Sequence, residues 1–300
     1  MFSILTTTYN SEELIHRVYE SLLSQTYKEF EWIISDDGST DNTEQLVEKW
    51  QQTSQFPIIY HKMEKNQGKA YAINSGITLC TQPITINADA DDTFVSNTLY
   101  DLKLIWDTIN NSTNPNKIGA VWTLVQDESG KLIGEKWPKN FWQVSFQERV
   151  LDRKENIAGE KWHSWRTEVL LKHKKYTNTN SRISPSISWN RINKHYDFLC
   201  VNLIHRTYFS NPTGITQQKK TKLKVLKRIY YSAYYELATP TISQILRSNY
   251  YRNMSYSYFR ARLKYKDEDA KLSGTKLFSV TLIFLFKLPL KILEKARSSS

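Results

Sequence analysis

Apolar positions in the first 110 residues alternate between two periods. Residues 2–8 form a short apolar and β-branched run, and beyond Tyr9 and Asn10 the residues Leu14, Ile15, Val18, Tyr19, Leu22 and Leu23 recur at helical spacing. A strand leading into a helix is expected, with Asn10 as N-cap and Glu13 three positions on as its capping partner. The pattern returns three times. Residues 30–35 read as a second strand, followed by a helix capped by Asp41 with Glu44 and carrying Leu46, Val47 and Trp50. Residues 57–60 read as a third strand with a helix from Gly68 to Leu79, and residues 83–88 as a fourth with a helix through Leu99, Leu102, Ile105, Trp106 and Ile109. Each crossover between parallel strands must return over the sheet, so the pattern predicts an α/β domain built on a mainly parallel sheet flanked by helices.

Past Gly119 the alternation weakens. Residues 120–125 read as a strand, and 131–135 are placed to pair with it across the turn at 127–130. Residues 138–218 mix aromatic and polar residues with short helical stretches, and from Lys219 onward the chain is rich in Lys and Tyr and helical in pattern. The expected organisation is a catalytic-size domain over 1–218, in halves 1–118 and 119–218, with a largely helical C-terminal region over 219–300.

Composition narrows the function classes. With 40% hydrophobic and 24% charged residues, the 300-residue chain is neither wholly disordered nor a bundle of membrane spans. Two cysteines, Cys80 and Cys200, exclude a disulfide framework and a four-cysteine zinc site. The first residues lack a charged region followed by a long apolar run, so no secretory signal is expected. The net charge of +11 is concentrated: residues 219–300 hold 18 Lys and Arg against 5 Asp and Glu, while the rest is close to neutral. A basic appendage on a neutral domain points to an anionic partner, phospholipid or nucleic acid; the alternative is a solvated basic tail.

Ligands of open α/β sheets bind beyond the carboxyl ends of the strands. Three polar clusters fall there: Thr6 to Asn10 after the first strand, Asp36 to Asp41 after the second, and Asp89-Ala90-Asp91-Asp92 after the fourth. Aspartates crowded at the end of an apolar strand repel one another unless a cation compensates. Asp89 and Asp91, two apart in extended chain, can face the same side and offer hard oxygen ligands to Mg²⁺ or Mn²⁺. The alternative is an acidic turn opening the next helix. Gly68-Lys69 adds a cation and free backbone N–H groups at a helix start, and the set suits a nucleoside diphosphate.

Thr7-Thr8-Tyr9-Asn10, Ser24-Gln25-Thr26-Tyr27, Asp36-Asp37-Gly38-Ser39-Thr40-Asp41, Asn66-Gln67-Gly68-Lys69-Ala70 and Asp89-Ala90-Asp91-Asp92 occur in an order and spacing that resembles the family 2 glycosyltransferases of the GT-A fold. The resemblance covers roughly residues 1–130. It implies metal-assisted, inverting transfer of a sugar from a nucleotide-diphosphate sugar to a glycan or lipid-linked acceptor in surface polysaccharide biosynthesis. By that likeness Thr7, Tyr9 and Asp37 contact the nucleoside, Lys69 the base or diphosphate, Asp89 the ribose or metal, and Asp91 is the principal metal ligand with Asp92 in support.

Inverting transfer also needs a base for the acceptor hydroxyl. Relatives commonly carry an acid near a Trp in the second half, where this chain has Ser184-Pro185-Ser186-Ile187-Ser188-Trp189 with serine at 186. Glu160, following Gly159 among aromatic residues, is the preferred candidate and is expected to be partly desolvated; Asp197 is another. His205-Arg206-Thr207-Tyr208 resembles a segment that neighbours the diphosphate or acceptor in relatives, the alternative being ordinary packing. Trp137, Trp142, Trp162, Trp165 and Trp189 suit sugar rings as an acceptor wall, although half or more are expected in the core.

The apolar run 277–286 is about half the roughly 20 residues that cross a bilayer, and its continuation to Leu293 mixes lysines with bulky apolar groups as an interfacial segment does. Lys219, Lys220, Lys222, Lys224, Lys227 and Arg228 add attraction to anionic headgroups. The expectation is a cytoplasmic enzyme, peripheral on the inner face of the membrane; a helix packed on the catalytic domain is the rival. No recognised nucleic-acid module is evident. Two other readings stay open, a nucleotide-sugar-binding protein that has lost turnover and a basic membrane- or RNA-binding protein.

Overall fold

The computed structural model describes residues 1–153, 158–210 and 220–297, with side chains as far as Pro289. The chain divides into two compact units, Met1–Arg149 with Arg153–Lys175 and Ile192–Gln217, and Val150–Asp152 with Tyr176–Arg191 and Gln218–Ser300. Residues 176–191, read from the sequence as part of the acceptor half, group with the C-terminal helices.

The first unit opens with β1 (Phe2–Thr8), α1 (His16–Leu23), β2 (Phe30–Asp36), α2 (Thr43–Thr53), β3 (Ile58–Lys62), α3 (Lys69–Ile77) and β4 (Ile84–Asp89). It continues through β5 (Thr93–Phe94), α4 (Thr98–Asn110), β6 (Ile118–Asp127), β7 (Trp142–Val144), β8 (Lys161–Arg166) and α5 (Thr167–Lys172). After α6 (Pro185–Asn193) it closes on β9 (Asp197–Tyr208). The strands form one nine-stranded sheet in the order β3-β2-β1-β4-β8-β6-β9-β5, with β7 also on β9. Strands β3, β2, β1 and β4 are parallel, as the alternation predicts. The second half is mixed, because β8 runs antiparallel to both β4 and β6 while β9 runs parallel to β6. Reversing twice, β6 and β9 point the same way as β4.

Burial on both faces explains why β1 and β2 read as near-continuous apolar runs. Phe2, Ile4, Trp32, Ile34, Ile84 and Ile86 share one core with apolar residues of α1, α2 and α4. On the opposite face α3 packs on β1 and β2, and Ser35 donates to the Ala72 carbonyl at 2.8 Å.

Both predicted helix caps differ from the structure. Helix α1 starts at His16 without a side-chain cap, because Asn10 (φ 48°) turns its Oδ1 toward the neighbouring loop and accepts from the Thr40 N–H at 2.8 Å. Asp41 stands one residue before the N-cap position, Asn42, and accepts from the N–H of Glu12 at 3.1 Å as well as from the hydroxyl and N–H of Thr43, at 2.6 and 3.2 Å, at the start of α2. These polar residues tie the first two loops to each other. The predicted pairing of 131–135 with β6 reduces to a bridge between Gln126 and Leu132.

The second unit contains α7 (Lys222–Ala238), α8 (Ile242–Arg247), α9 (Asn249–Arg262) and α10 (Gly274–Arg297). Tyr230 of α7 stacks on Tyr258 of α9 with ring centroids 5.0 Å apart, and the Tyr230 hydroxyl donates to the Ala270 carbonyl at 2.9 Å. Helix α10 buries Val280, Ile283 and Phe284, the last against Tyr256 and Phe259 of α9. Lys219 lies outside the described residues. Among the described residues no helix is long and apolar enough to cross a membrane.

Candidate active site

Parallel register brings the sequence-predicted residues to one end of the first unit. In the sheet Thr8 is level with Asp36 and Thr7 with Asp89, so the loops after β1, β2 and β4 leave from the same edge. The Asp37 N–H donates to the Thr8 carbonyl at 2.9 Å, and Gly38 (φ 78°) then turns the chain sharply. Asp37 itself accepts from the backbone N–H groups of Gln67 and Gly68, each at 2.7 Å, and so braces the loop that starts α3. Burial raises its pKa against the opposing pull of those two hydrogen bonds. The next residue, Lys69, donates to Asp89 Oδ1 at 2.5 Å. A continuous set of contacts therefore runs from β2 through the α3 start to the end of β4. Thr7 is half-buried at this edge and Tyr9 is exposed beside it.

Asp89, Asp91 and Asp92 each offer an oxygen within 4.8 Å of the others. Arg206, near the end of β9, enters this cluster: its guanidinium is 2.7 Å from Asp92 and 3.9 Å from Asp89. Burial disfavours the Arg206 charge, but Asp92 and Asp89 outweigh it and raise its pKa. At Asp89 burial is outweighed by Lys69 and Arg206, which hold the carboxyl well below the usual carboxylate range. At Asp92 burial prevails over Arg206, with Asp89 and Asp91 adding to it, and the pKa rises. Asp92 Oδ1 is buried without a hydrogen-bond partner. An orphaned oxygen beside two further carboxylates fits a hard divalent cation such as Mg²⁺ or Mn²⁺.

Glu160 reaches the same cluster, its Oε2 3.7 Å from Arg206. Gly159 (φ 91°) and Gly134 pass so closely that a Cβ built on Gly159 would lie 2.3 Å from the Gly134 Cα, and this crossing sets the path into β8. The expected desolvation of Glu160 is not found: the side chain is 52% exposed, because it stands at the rim rather than among the buried tryptophans.

Other candidates lie elsewhere. Asp197 begins β9, at the opposite end of the strand from Arg206, where it accepts from Gln143 at 2.7 Å and pairs with Lys117 at 3.5 Å. His205 is buried packing: its carbonyl accepts from the Val95 N–H and the Thr98 hydroxyl, and burial lowers its pKa to about 4 against the pull of Asp101. Ser186 lies in the second unit, 2.9 Å from the Ser184 hydroxyl. Trp137, Trp162 and Trp165 are buried, whereas Trp142 and Trp189 are half-buried. What the sequence reading did not anticipate is Arg206 as the counter-ion of the aspartates. The available signal was a cation at the end of an apolar strand, which needs an acidic partner to be buried.

Residues 3–118 match the family model described as Glycosyl transferase family 2. That match assigns the region to the family 2 glycosyltransferases. Over 119 residues the chain is 33% identical to the poly-beta-1,6-N-acetyl-D-glucosamine synthase of Staphylococcus aureus (strain COL), a match covering 40% of this chain and 27% of that protein. The Staphylococcus epidermidis synthase of the same name is 36% identical over 89 residues, covering 30% of this chain and 21% of that one. The chain thus spans little more than a quarter of the curated relatives it matches. Among solved structures, S. aureus TarS 1-349 in complex with UDP-GlcNAc superposes with a TM-score of 0.60 at 16% identity, over 94% of this chain and 79% of that one. The mannosyltransferase PcManGT of Pyrobaculum calidifontis, in complex with GDP-Man and Mn²⁺, gives 0.50 at 16% identity, over 99% and 79%. These likenesses show a GT-A fold, with the acidic cluster at the end of β4 of a family 2 region.

Proposed function

We propose that the protein is a metal-dependent inverting glycosyltransferase that moves a sugar from a nucleotide-diphosphate donor to a glycan or lipid-linked acceptor in surface polysaccharide synthesis. The observation that carries this reading is the convergence of Asp89, Asp91 and Asp92 with Lys69 and Arg206 at one edge of the sheet, beside the loop braced by Asp37. Similarity to the poly-beta-1,6-N-acetyl-D-glucosamine synthases and to TarS in complex with UDP-GlcNAc makes UDP-N-acetylglucosamine the first donor to try.

In this mechanism Tyr9 and Thr7 flank the nucleoside, and the Asp37 carboxylate, with a lone pair left on each oxygen, receives a nucleoside donor group. Asp91 and Asp89 would hold an Mn²⁺ or Mg²⁺ ion, which would supply Lewis-acid neutralisation of the diphosphate. Glu160 takes the proton of the acceptor hydroxyl as its oxygen attacks the anomeric carbon. The bond from that carbon to the diphosphate oxygen breaks, and the electron pair leaves with the nucleoside diphosphate. Lys69 and Arg206 stabilise the growing negative charge, the main electrostatic demand of the transition state.

Peripheral membrane contact at the cytoplasmic face belongs to the same proposal. Helix α10 turns Phe278, Leu282, Leu285 and Phe286 outward, the two phenylalanines 66% and 78% exposed, opposite the face that buries Val280, Ile283 and Phe284. An apolar stripe on a strongly basic region suits an anionic leaflet, into which the stripe inserts while the lysines remain at the headgroups.

Incubation with a panel of nucleotide sugars and Mn²⁺, scored for donor hydrolysis and sugar transfer, tests the activity. Glu160→Gln is expected to lose transfer by at least about a hundredfold while donor binding is retained. Undiminished turnover in Glu160→Gln would remove it as base, and donor binding without turnover in the unsubstituted chain would favour the binding-protein reading.

A further inference from the structure

At the end of the sheet opposite the acidic mouth, the first unit contains a concavity of about 350 Å³, open to solvent. Its floor is apolar, formed by Ile105 and Ile109 of α4, Ile118 at the start of β6 and Leu199 of β9. Its rim is polar and neutral, with Thr108, Ser112, Thr113, Asn114 and Gln143. Among the described lining residues the cation is Lys117, which is paired with Asp197 at 3.5 Å, and the same carboxylate accepts from Gln143 at 2.7 Å.

Phe141 forms the remaining wall. Its side chain is 56% exposed although its backbone has φ 51°, a conformation that costs a bulky residue of order 1 kcal/mol. The segment that imposes this is built for it. Asn140 Oδ1 accepts from the N–H of both Phe141 (3.2 Å) and Asn202 (2.8 Å), while Asn202 exchanges hydrogen bonds with the backbone of Trp137 at 2.8 and 3.1 Å. A large apolar ring is thereby held in water at the edge of an open groove, rather than turned into the core as Trp137 is.

An aromatic face, an apolar floor and a rim of hydroxyl and amide groups without uncompensated charge match the two-sided chemistry of a neutral pyranose chain. The C–H faces of its rings pack on Phe141 and its hydroxyls meet the rim. With Lys117 paired to Asp197, the lining residues leave no free counter-ion for a charged nucleotide. We infer that this groove is a second carbohydrate-binding site, which holds a neutral oligosaccharide remote from the place of transfer. The inference rests on the proposed activity only for its use, which is to retain a glycan acceptor or product near the enzyme.

The test is direct titration of the full chain with neutral oligosaccharides, namely N-acetylglucosamine, glucose and mannose tetramers, followed by NMR or calorimetry and repeated with Asp91→Ala. At least one tetramer is expected to bind saturably, to both forms alike. Phe141→Ala, and independently Thr108→Arg on the exposed surface of α4, are expected to weaken that binding at least about tenfold while UDP binding in Mn²⁺ is unchanged. No saturable binding by any tetramer, equal affinity in Phe141→Ala and Thr108→Arg, or loss of oligosaccharide binding in Asp91→Ala would each overturn the inference. Failure of the transferase reading would instead appear as absent UDP binding and absent transfer, with oligosaccharide binding intact.

Discussion

Asp89, Asp92, Arg206 and His163 show how strongly burial and charge are set against each other around the mouth. The carboxylates were legible because three of them follow an apolar strand and match a spaced set of motifs. Arg206 was only half legible, since its role depends on β9 returning beside β4's loop, a long-range pairing that no local pattern encodes. His163 gave no sequence signal at all. It accepts a hydrogen bond from the Trp165 indole at 2.7 Å, and burial, helped by Lys175 and Arg206, lowers its pKa to about 3. The unfolded chain takes up a proton near pH 6.5 and the folded chain does not. Its contribution to stability is therefore complete above about pH 6.5 and is lost progressively as pH falls toward 3. In urea titrations between pH 7 and 4, the unfolding free energy of the native chain should fall relative to that of His163→Gln by about 3 kcal/mol. A pH-independent difference between the two proteins would show that His163 is not held neutral.

At the scale of elements, the strand–helix alternation placed the first four strands to within about two residues, because β1, β2 and β4 are largely buried, β3 is an apolar run at the sheet edge, and the loops between them are polar. The caps differ for physical reasons: Asn10 has an alternative partner across the β1 and β2 loops, whereas Asp41 serves both, one oxygen accepting from the Glu12 N–H and the other from the N–H of Thr43 at the start of α2. The mixed second half was less legible, since β7, β8 and β9 are recruited across long sequence separations. Close packing of α3 on the sheet gives a prediction at this scale. A Cβ at Gly76 would lie 2.4 Å from the Leu5 Cδ1 and 2.9 Å from the Ser35 Cβ, both on buried strands. Gly76→Ala should therefore destabilise the protein by about 1–3 kcal/mol in equilibrium unfolding, despite alanine's better helix propensity. A stabilised variant would mean that α3 sits further from β1 and β2.

For the whole molecule, charge asymmetry was the clearest sequence signal after the motifs, and the structure adds which part of the basic region is apolar and outward. Periodicity could not separate the two sides of α10, because both carry Leu, Ile or Phe; only packing on α9 distinguishes them. Substituting Phe278, Leu285 and Phe286 together by serine leaves the buried side untouched and should weaken binding to phosphatidylserine-containing vesicles at least about tenfold in a flotation assay. Equal flotation of both proteins would dismiss α10 as the membrane contact.

On the proposed reading, carboxylates from separate loops hold a cation and a nucleoside diphosphate at one mouth. Electron paramagnetic resonance of free Mn²⁺, titrated with the full chain in the presence of UDP, measures this most directly. The free-ion signal should fall to a stoichiometric end point with the native protein and persist with folded Asp91→Ala. A signal that the native protein leaves unchanged, or that Asp91→Ala quenches equally well, would contradict the account.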